Sequence, residues 1–115
     1  MSIAATPKPT YYAAIFSSVR AQHNDEAAYE SMGERMAMLA MQQPGFIGFE
    51  GAADTPERFG LFISYWQTDT DIRNWKRLAE HLEAQRRGHG TWYSDYKIRI
   101  AKVERDYAHS DGGPG

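Results

Sequence analysis

The chain predicts an α+β domain of six elements in the order strand, helix, strand, strand, helix, strand. Three observations carry that expectation. Two stretches place apolar residues at helical spacing, four shorter runs are rich in aromatic and β-branched residues, and Pro, Gly, Asn or Asp mark most of the junctions. A length of 115 residues suits one domain with a modest core and a large exposed surface.

Residues 1–10, with Pro7 and Pro9, read as a flexible leader. Residues 108–115 (AHSDGGPG) read as a disordered tail, too polar and glycine-rich to pack. The folded domain is expected over 11–107. Tyr11 to Arg20 (YYAAIFSSVR) has the composition of a strand, and Asn24 and Asp25 offer a helix cap behind it. Tyr29, Met32, Met36, Leu39 and Ala40 then form one apolar stripe, which Pro44-Gly45 ends. Phe46 to Ala52 is a second strand, Asp54-Thr55-Pro56 turns the chain, and Gly60 to Gln67 returns antiparallel to it. Asp69 or Thr70 is the expected cap of a second helix whose Ile72, Trp75, Ala79 and Leu82 share a face. Gly88 and Gly90, behind Arg86-Arg87, mark its end; the pattern does not decide whether it kinks near Arg77-Leu78. Trp92 to Tyr107 is a last, long strand. This order is the split βαβ pattern of the ferredoxin-like fold, a four-stranded antiparallel sheet with both helices on one face. Right-handed crossovers put the first and third strands in its centre.

A sheet covered by helices on one side only should alternate apolar and polar residues along each strand. These strands do not. Ile15 and Val19 oppose Tyr12 and Phe16, Phe46 opposes Ile47 and Phe49, and Leu61, Ile63 and Tyr65 oppose Phe62 and Trp66. Leaving the second face wet would expose an apolar patch that soluble monomers rarely carry, so a homodimer packed face to face is expected. In the last strand the apolar positions run Tyr96, Ile98, Ile100 and then shift to Ala101, Val103 and Tyr107. That change of phase predicts a bulge or a change of partner, such as pairing with the second subunit to close a barrel.

Composition removes several function classes. A net charge of −2 supplies no basic field for a nucleic acid held through its phosphates. The absence of cysteine excludes disulfides, thiolate metal sites and a cysteine nucleophile, and fits the cytoplasm. Neither a signal peptide nor an apolar run long enough to span a membrane is present. No HExxH, Gly-rich phosphate loop or acidic metal cluster occurs, and Ser17, Ser18, Ser64 and Ser94 lack a nucleophile-elbow context. What stands out is the aromatic content: seven Tyr, five Phe and three Trp need a core, an interface or a pocket for a flat ligand.

The segments QQPGFIGFE (42–50), ISYWQTDTDIRNWKRLAEHLEAQRRG (63–88) and WYSDYKIRIAKVERDY (92–107) resemble the antibiotic biosynthesis monooxygenase family. The likeness spans about Tyr11 to Tyr107 and is strongest from Pro44 onward. It implies a dimeric α/β barrel, in a family that includes cofactor-free oxygenases of polyketide aromatic rings and haem-degrading enzymes. A family this varied says more about fold than about reaction.

Under that resemblance, Tyr65, Trp66, Trp75 and Trp92 are candidate walls of an apolar pocket between helices and sheet. The plain alternative is core and interface filling, and the stripe spacing already accounts for Trp75. A cofactor-free oxygenase must orient an electron-rich phenol or quinol, take its proton and exclude water, so that the anion can pass an electron to dioxygen. His81 is the candidate proton acceptor, since imidazole titrates near neutrality and the helical wheel sets it beside Leu78. Its plain alternative is a histidine hydrogen-bonded at a helix or subunit boundary. Arg86 is a candidate for a polar substituent, against the ordinary role of a helix-end charge.

No cofactor and no metal are expected in this lead reading, with haem as the alternative. A haem-degrading member is expected to carry an asparagine in the first strand, a tryptophan early in the second helix and a ligating histidine later in it. Trp75 matches the tryptophan; the first strand has no asparagine, and the histidine position falls nearer Gln85 than His81. The third reading is a non-catalytic dimer that binds a small hydrophobic or aromatic molecule.

Overall fold

The computed structural model describes residues 2–22, 26–53, 55–84 and 92–109, with only the backbone of Glu83 and Ala84. It has the six expected elements: β1 (Tyr11–Arg20), α1 (Glu26–Met41), β2 (Phe46–Ala52), β3 (Phe59–Trp66), α2 (Asp69–Ala84) and β4 (Tyr93–Val103). The strands form one antiparallel sheet in the order β2-β3-β1-β4, so β1 and β3 are central as the crossover rule requires. The chain has the ferredoxin-like α+β fold.

Register assigns the faces, because residues paired across antiparallel strands point to the same side. Tyr12 pairs with Trp66 and Lys102, Ala14 with Ser64 and Ile100, and Phe16 with Phe62 and Ile98. These belong to the face that meets the helices. The core shows it: Trp66 is wholly buried against Ala40 of α1 and Ile72 of α2, with Tyr12, Ala14, Phe46 and Trp75 packed around them. Each large apolar side chain buried there contributes about 1.5–3 kcal/mol. The opposite face carries Tyr11, Ala13 and Ile15 of β1 beside Val103, Ala101 and Arg99 of β4 and Tyr65, Ile63 and Leu61 of β3.

Several local expectations are corrected. The register of β2 shifts between Phe46 and Gly48, so Ile47 is an extra residue. Phe46 and Phe49 therefore share the helix face, with rings 6.1 Å apart, instead of opposing each other. In β4 the pairing is regular from Asp95 to Val103, so the change of apolar phase at Ile100–Ala101 is not a bulge. The irregularity lies at Val19–Arg20 instead, and the strand ends at Val103, short of Tyr107. Both sides of β4 simply carry apolar residues. The second helix is capped by Thr68, not by Asp69 or Thr70: its Oγ1 accepts from the Asp71 backbone N–H at 3.1 Å and donates to Asp71 Oδ2 at 2.7 Å. The helix then runs unbroken past Arg77–Leu78.

Residues 2–10 lie along the sheet on the side away from the helices. The Ala4 N–H reaches Glu50 Oε2 at 3.4 Å, and Thr6 Oγ1 donates to the Tyr11 hydroxyl at 3.1 Å. The proposed cap residues Asn24 and Asp25, the terminator Gly88 and Gly90, and tail residues 110–115 fall outside the described residues.

Candidate functional site

The helices cover only part of their face of the sheet. Phe62, Ile98 and Ile100 belong to that face, yet they remain 37%, 45% and 47% exposed. The result is an apolar strip floored by β3, β1 and β4. At one end stands the Trp66–Trp75 pair, stacked with centroids 6.2 Å apart and planes 24° from parallel. Trp66 Nε1 donates to Ser64 Oγ at 2.9 Å, which satisfies a buried donor and fixes the ring. Being wholly buried, Trp66 backs the half-buried Trp75 and offers no surface of its own.

Along the strip, Phe49 lies 5.3 Å from Phe62, and Phe16 meets Tyr93 edge-on at 5.1 Å. At the far end Tyr29 of α1 packs against Trp92 at 5.8 Å and Tyr93 at 6.0 Å. On the β4 side of α2 there is an open cleft of about 450 Å³. Tyr12, Ile72 and Ile100 line its apolar part, and Arg73, Lys76 and Lys102 add positive charge. Arg73 is paired with Asp69 at 3.0 Å and Lys76 with Glu80 at 3.2 Å.

The sequence-derived candidates do not all converge. Trp66 and Trp75 are in contact. Trp92 is buried at the other end of the strip, beyond the eight residue steps of β1 from Tyr12 to Arg20, or about 26 Å of strand. Tyr65 points to the opposite face, where it meets Tyr11 edge-on at 5.9 Å and donates to Glu50 Oε1 at 2.5 Å. Burial first, then that hydrogen bond and the charge of Glu50, push the Tyr65 hydroxyl pKa well above its ordinary value. His81 is exposed on α2, and Arg86 lies outside the described residues. The floor residues Phe16, Phe62, Ile98 and Ile100 were not foreseen as a site, although their even-numbered alternation places them on Trp66's face.

A second group of polar residues closes the Tyr29 end. Arg20 is ion-paired with Glu26, and its guanidinium carbon stands 4.0 Å over the Tyr29 ring. Arg58 pairs with Glu26 at 3.2 Å and donates to the Ala21 carbonyl at 2.9 Å. The hydrogen bond from Arg20, then that from Arg58, hold the Glu26 carboxyl below the usual carboxylate range. Among the described residues no cluster of His, Asp or Glu has the arrangement to hold a metal ion, and no helix is long and apolar enough to cross a membrane.

A four-stranded antiparallel sheet with two helices on one face, and an aromatic strip left partly open there, defines a small ferredoxin-like α+β domain. Within that fold class the chain belongs to the antibiotic biosynthesis monooxygenase family, whose model matches residues 10–87. A curated relative, the uncharacterized protein YqjZ of Bacillus subtilis (strain 168), is 41% identical over 103 residues, covering 90% of this chain and 88% of that protein. Among solved structures, SnoaB from Streptomyces nogalater, described as a cofactor-independent oxygenase, superposes with a TM-score of 0.64 at 17% identity. That match covers 85% of this chain and 97% of SnoaB. PA3566 from Pseudomonas aeruginosa gives a TM-score of 0.63 at 17% identity, over 88% of this chain and 99% of that one. At such identities these two likenesses are of fold.

Proposed function

We propose that the protein is a cofactor-independent monooxygenase that takes a small aromatic or quinol-type molecule onto the helix-side strip, and that it works as a cytoplasmic homodimer. The observation that carries this reading is the strip itself. Phe62, Ile98 and Ile100 are exposed on a face that the helices are built to cover, in a chain of a monooxygenase family. Apolar side chains left open on a partly covered sheet face favour a flat apolar ligand, which gains their burial on binding. The description of SnoaB as cofactor-independent supports the same choice for this chain.

The chemistry needs little from the protein beyond position and proton transfer. An activated methylene between two rings loses a proton to give a stabilised carbanion, which passes an electron to dioxygen. Recombination and loss of water leave one oxygen atom in a carbonyl and the other in water, so the substrate itself supplies every electron. In this reading Trp75, backed by Trp66, closes one end of the strip and Trp92 the other, and the ring lies between them over the floor residues. Tyr65 is on the sheet's other face and does not reach a ring on the strip. His81 is the proposed proton acceptor; its exposed position on α2 leaves its second proton transfer open to solvent.

Oxygen uptake with a panel of anthrones and hydroquinones tests the activity, and mass spectrometry under labelled dioxygen should place one labelled atom in the ketone. For His81→Ala we expect turnover to fall by about 10²-fold or more, the usual share of a general base. Unchanged turnover would remove His81 from the mechanism and leave the oxygenase class standing. Absence of uptake with every substrate, together with a Soret shift on adding haem, would replace the whole reading with haem binding.

A further inference from the structure

The geometry points to a carboxylate site at the Tyr29 end of the strip, formed by Arg20 and Arg58, so that the ligand is an aromatic acid instead of a neutral ring. The inference deepens the reading of the strip as the place where a flat ring lies, and rests on it.

Arg20 is the last residue of β1 and Arg58 immediately precedes β3; a backbone hydrogen bond of 3.0 Å from the Arg20 N–H to the Arg58 carbonyl ties them together. Each guanidinium carries five N–H donors and no acceptor. Among the described residues their charged partner is a single carboxylate, that of Glu26, whose side chain is 56% exposed. Two positive charges thus share, among the described residues, one largely solvated negative charge. Both Nε atoms are buried without a hydrogen-bond partner. A buried unsatisfied donor is destabilising, and more so when it carries charge. Among the described residues the cluster is therefore short of acceptors as well as of negative charge.

The backbone adds an independent sign. Arg58 has φ of 62°, in the left-handed region that favours Gly or Asn over a long side chain. Such a conformation is strained, and residues held in it cluster at sites where the side chain is used. Here it directs the guanidinium toward Ala21 and Glu26, beside Arg20.

Space and reach agree. A hollow of about 100 Å³ is lined by Arg20, Arg58, Tyr29, Ser18 and Gly60. That is room for roughly three water molecules, which suits a carboxylate and not a ring. Ser18 and Gly60 are paired on the helix face, and the next residues on that face of the same strands are Phe16 and Phe62. Two residues of strand span about 7 Å, roughly the reach from the far edge of a fused two-ring system to its carboxylate oxygens. A ring over Phe16 and Phe62 therefore brings its acid group to the arginines, where the oxygens accept from the guanidinium ends and Glu26 shifts toward solvent.

The probes are 2-naphthoate and its uncharged isostere 2-naphthamide, titrated calorimetrically near neutral pH and at low salt. The native protein should bind naphthoate about tenfold more tightly than naphthamide, the worth of charge-assisted hydrogen bonds. Arg58→Gln should bring that ratio close to one. Glu26→Gln removes the competing carboxylate, so naphthoate should bind several-fold more tightly while naphthamide is unaffected; a purely structural ion pair gives no such gain. A native ratio near one, or naphthoate binding unchanged or weakened in Glu26→Gln, overturns the carboxylate site. If naphthamide binds as well as naphthoate, the site fails and the strip survives. If neither binds, both fail. Naphthoate binding without oxygen uptake from any substrate sinks the oxygenase reading alone.

Discussion

Tyr65 and Tyr11 each donate a hydroxyl hydrogen to a carboxylate, Glu50 and Asp106 respectively, on the face of the sheet away from the helices. Only a neutral phenol can donate, so burial and the neighbouring carboxylates raise both pKa values above the ordinary tyrosine range. The unfolded chain releases these protons near pH 10, earlier than the folded one. The stabilisation is therefore complete below about pH 10 and is lost as the pH rises through that value toward the folded-state pKa. In Tyr65→Phe the fall of the thermal midpoint between about pH 9 and about pH 11 should be shallower than in the native protein. An identical alkaline fall in the two proteins would show that Tyr65 does not contribute to it. Strict alternation along β3 already separates Tyr65 from Trp66, so its place on the other face was legible from sequence. Its grouping with the tryptophans as a pocket wall ignored that alternation.

Gly45 shows how two elements depend on one backbone position. It has φ of 81°, and its carbonyl accepts from the Gln67 N–H at 2.8 Å, joining the end of α1 to the end of β3. A Cβ at this position would stand 2.0 Å from Asp71 Oδ2, the carboxylate that closes the cap of α2. Gly45→Ala should therefore strain both the turn and the cap, at a cost of about 1–3 kcal/mol in chemical denaturation. Gly33, inside α1 and with no atom within 4 Å of an added Cβ, is the internal control. Gly33→Ala should stabilise by about 0.5–1 kcal/mol. Equal effects at the two sites would contradict this account. The helix stripes were readable, since Met32, Ala40 and Ile72 are buried as their spacing requires. The extra residue at Ile47 was not, because a bulge leaves little mark on a seven-residue run.

The open sheet face governs the behaviour of the chain as a body. Phe59 and Leu61 are 42% and 37% exposed there, beside half-buried Ile63 and Ile15, while Ala4, Thr6 and Asp106 meet another part of the face around Glu50 and Tyr11. A second copy covering that face gains burial of all four side chains, about 25 cal/mol for each Å² of apolar surface removed from water. The protein should sediment at twice the chain mass of 13.1 kDa, and Ile63→Asp, which sets a charge in the middle of the face, should shift it toward the single chain. Monomeric sedimentation of the native protein at high concentration would remove the homodimer.

Element order, strand alternation and helix stripes are local properties of the chain, and periodicity alone was enough to reach the ferredoxin-like fold and its two apolar faces. Composition alone excluded cysteine chemistry for the same reason: it depends on what residues are present, not on where they meet. The site depended on distance between segments remote in sequence. Only the folded sheet separates Trp92 from Trp66 by the length of β1, turns Tyr65 away from both, and brings Arg20 and Arg58 together across a register that no single stretch encodes.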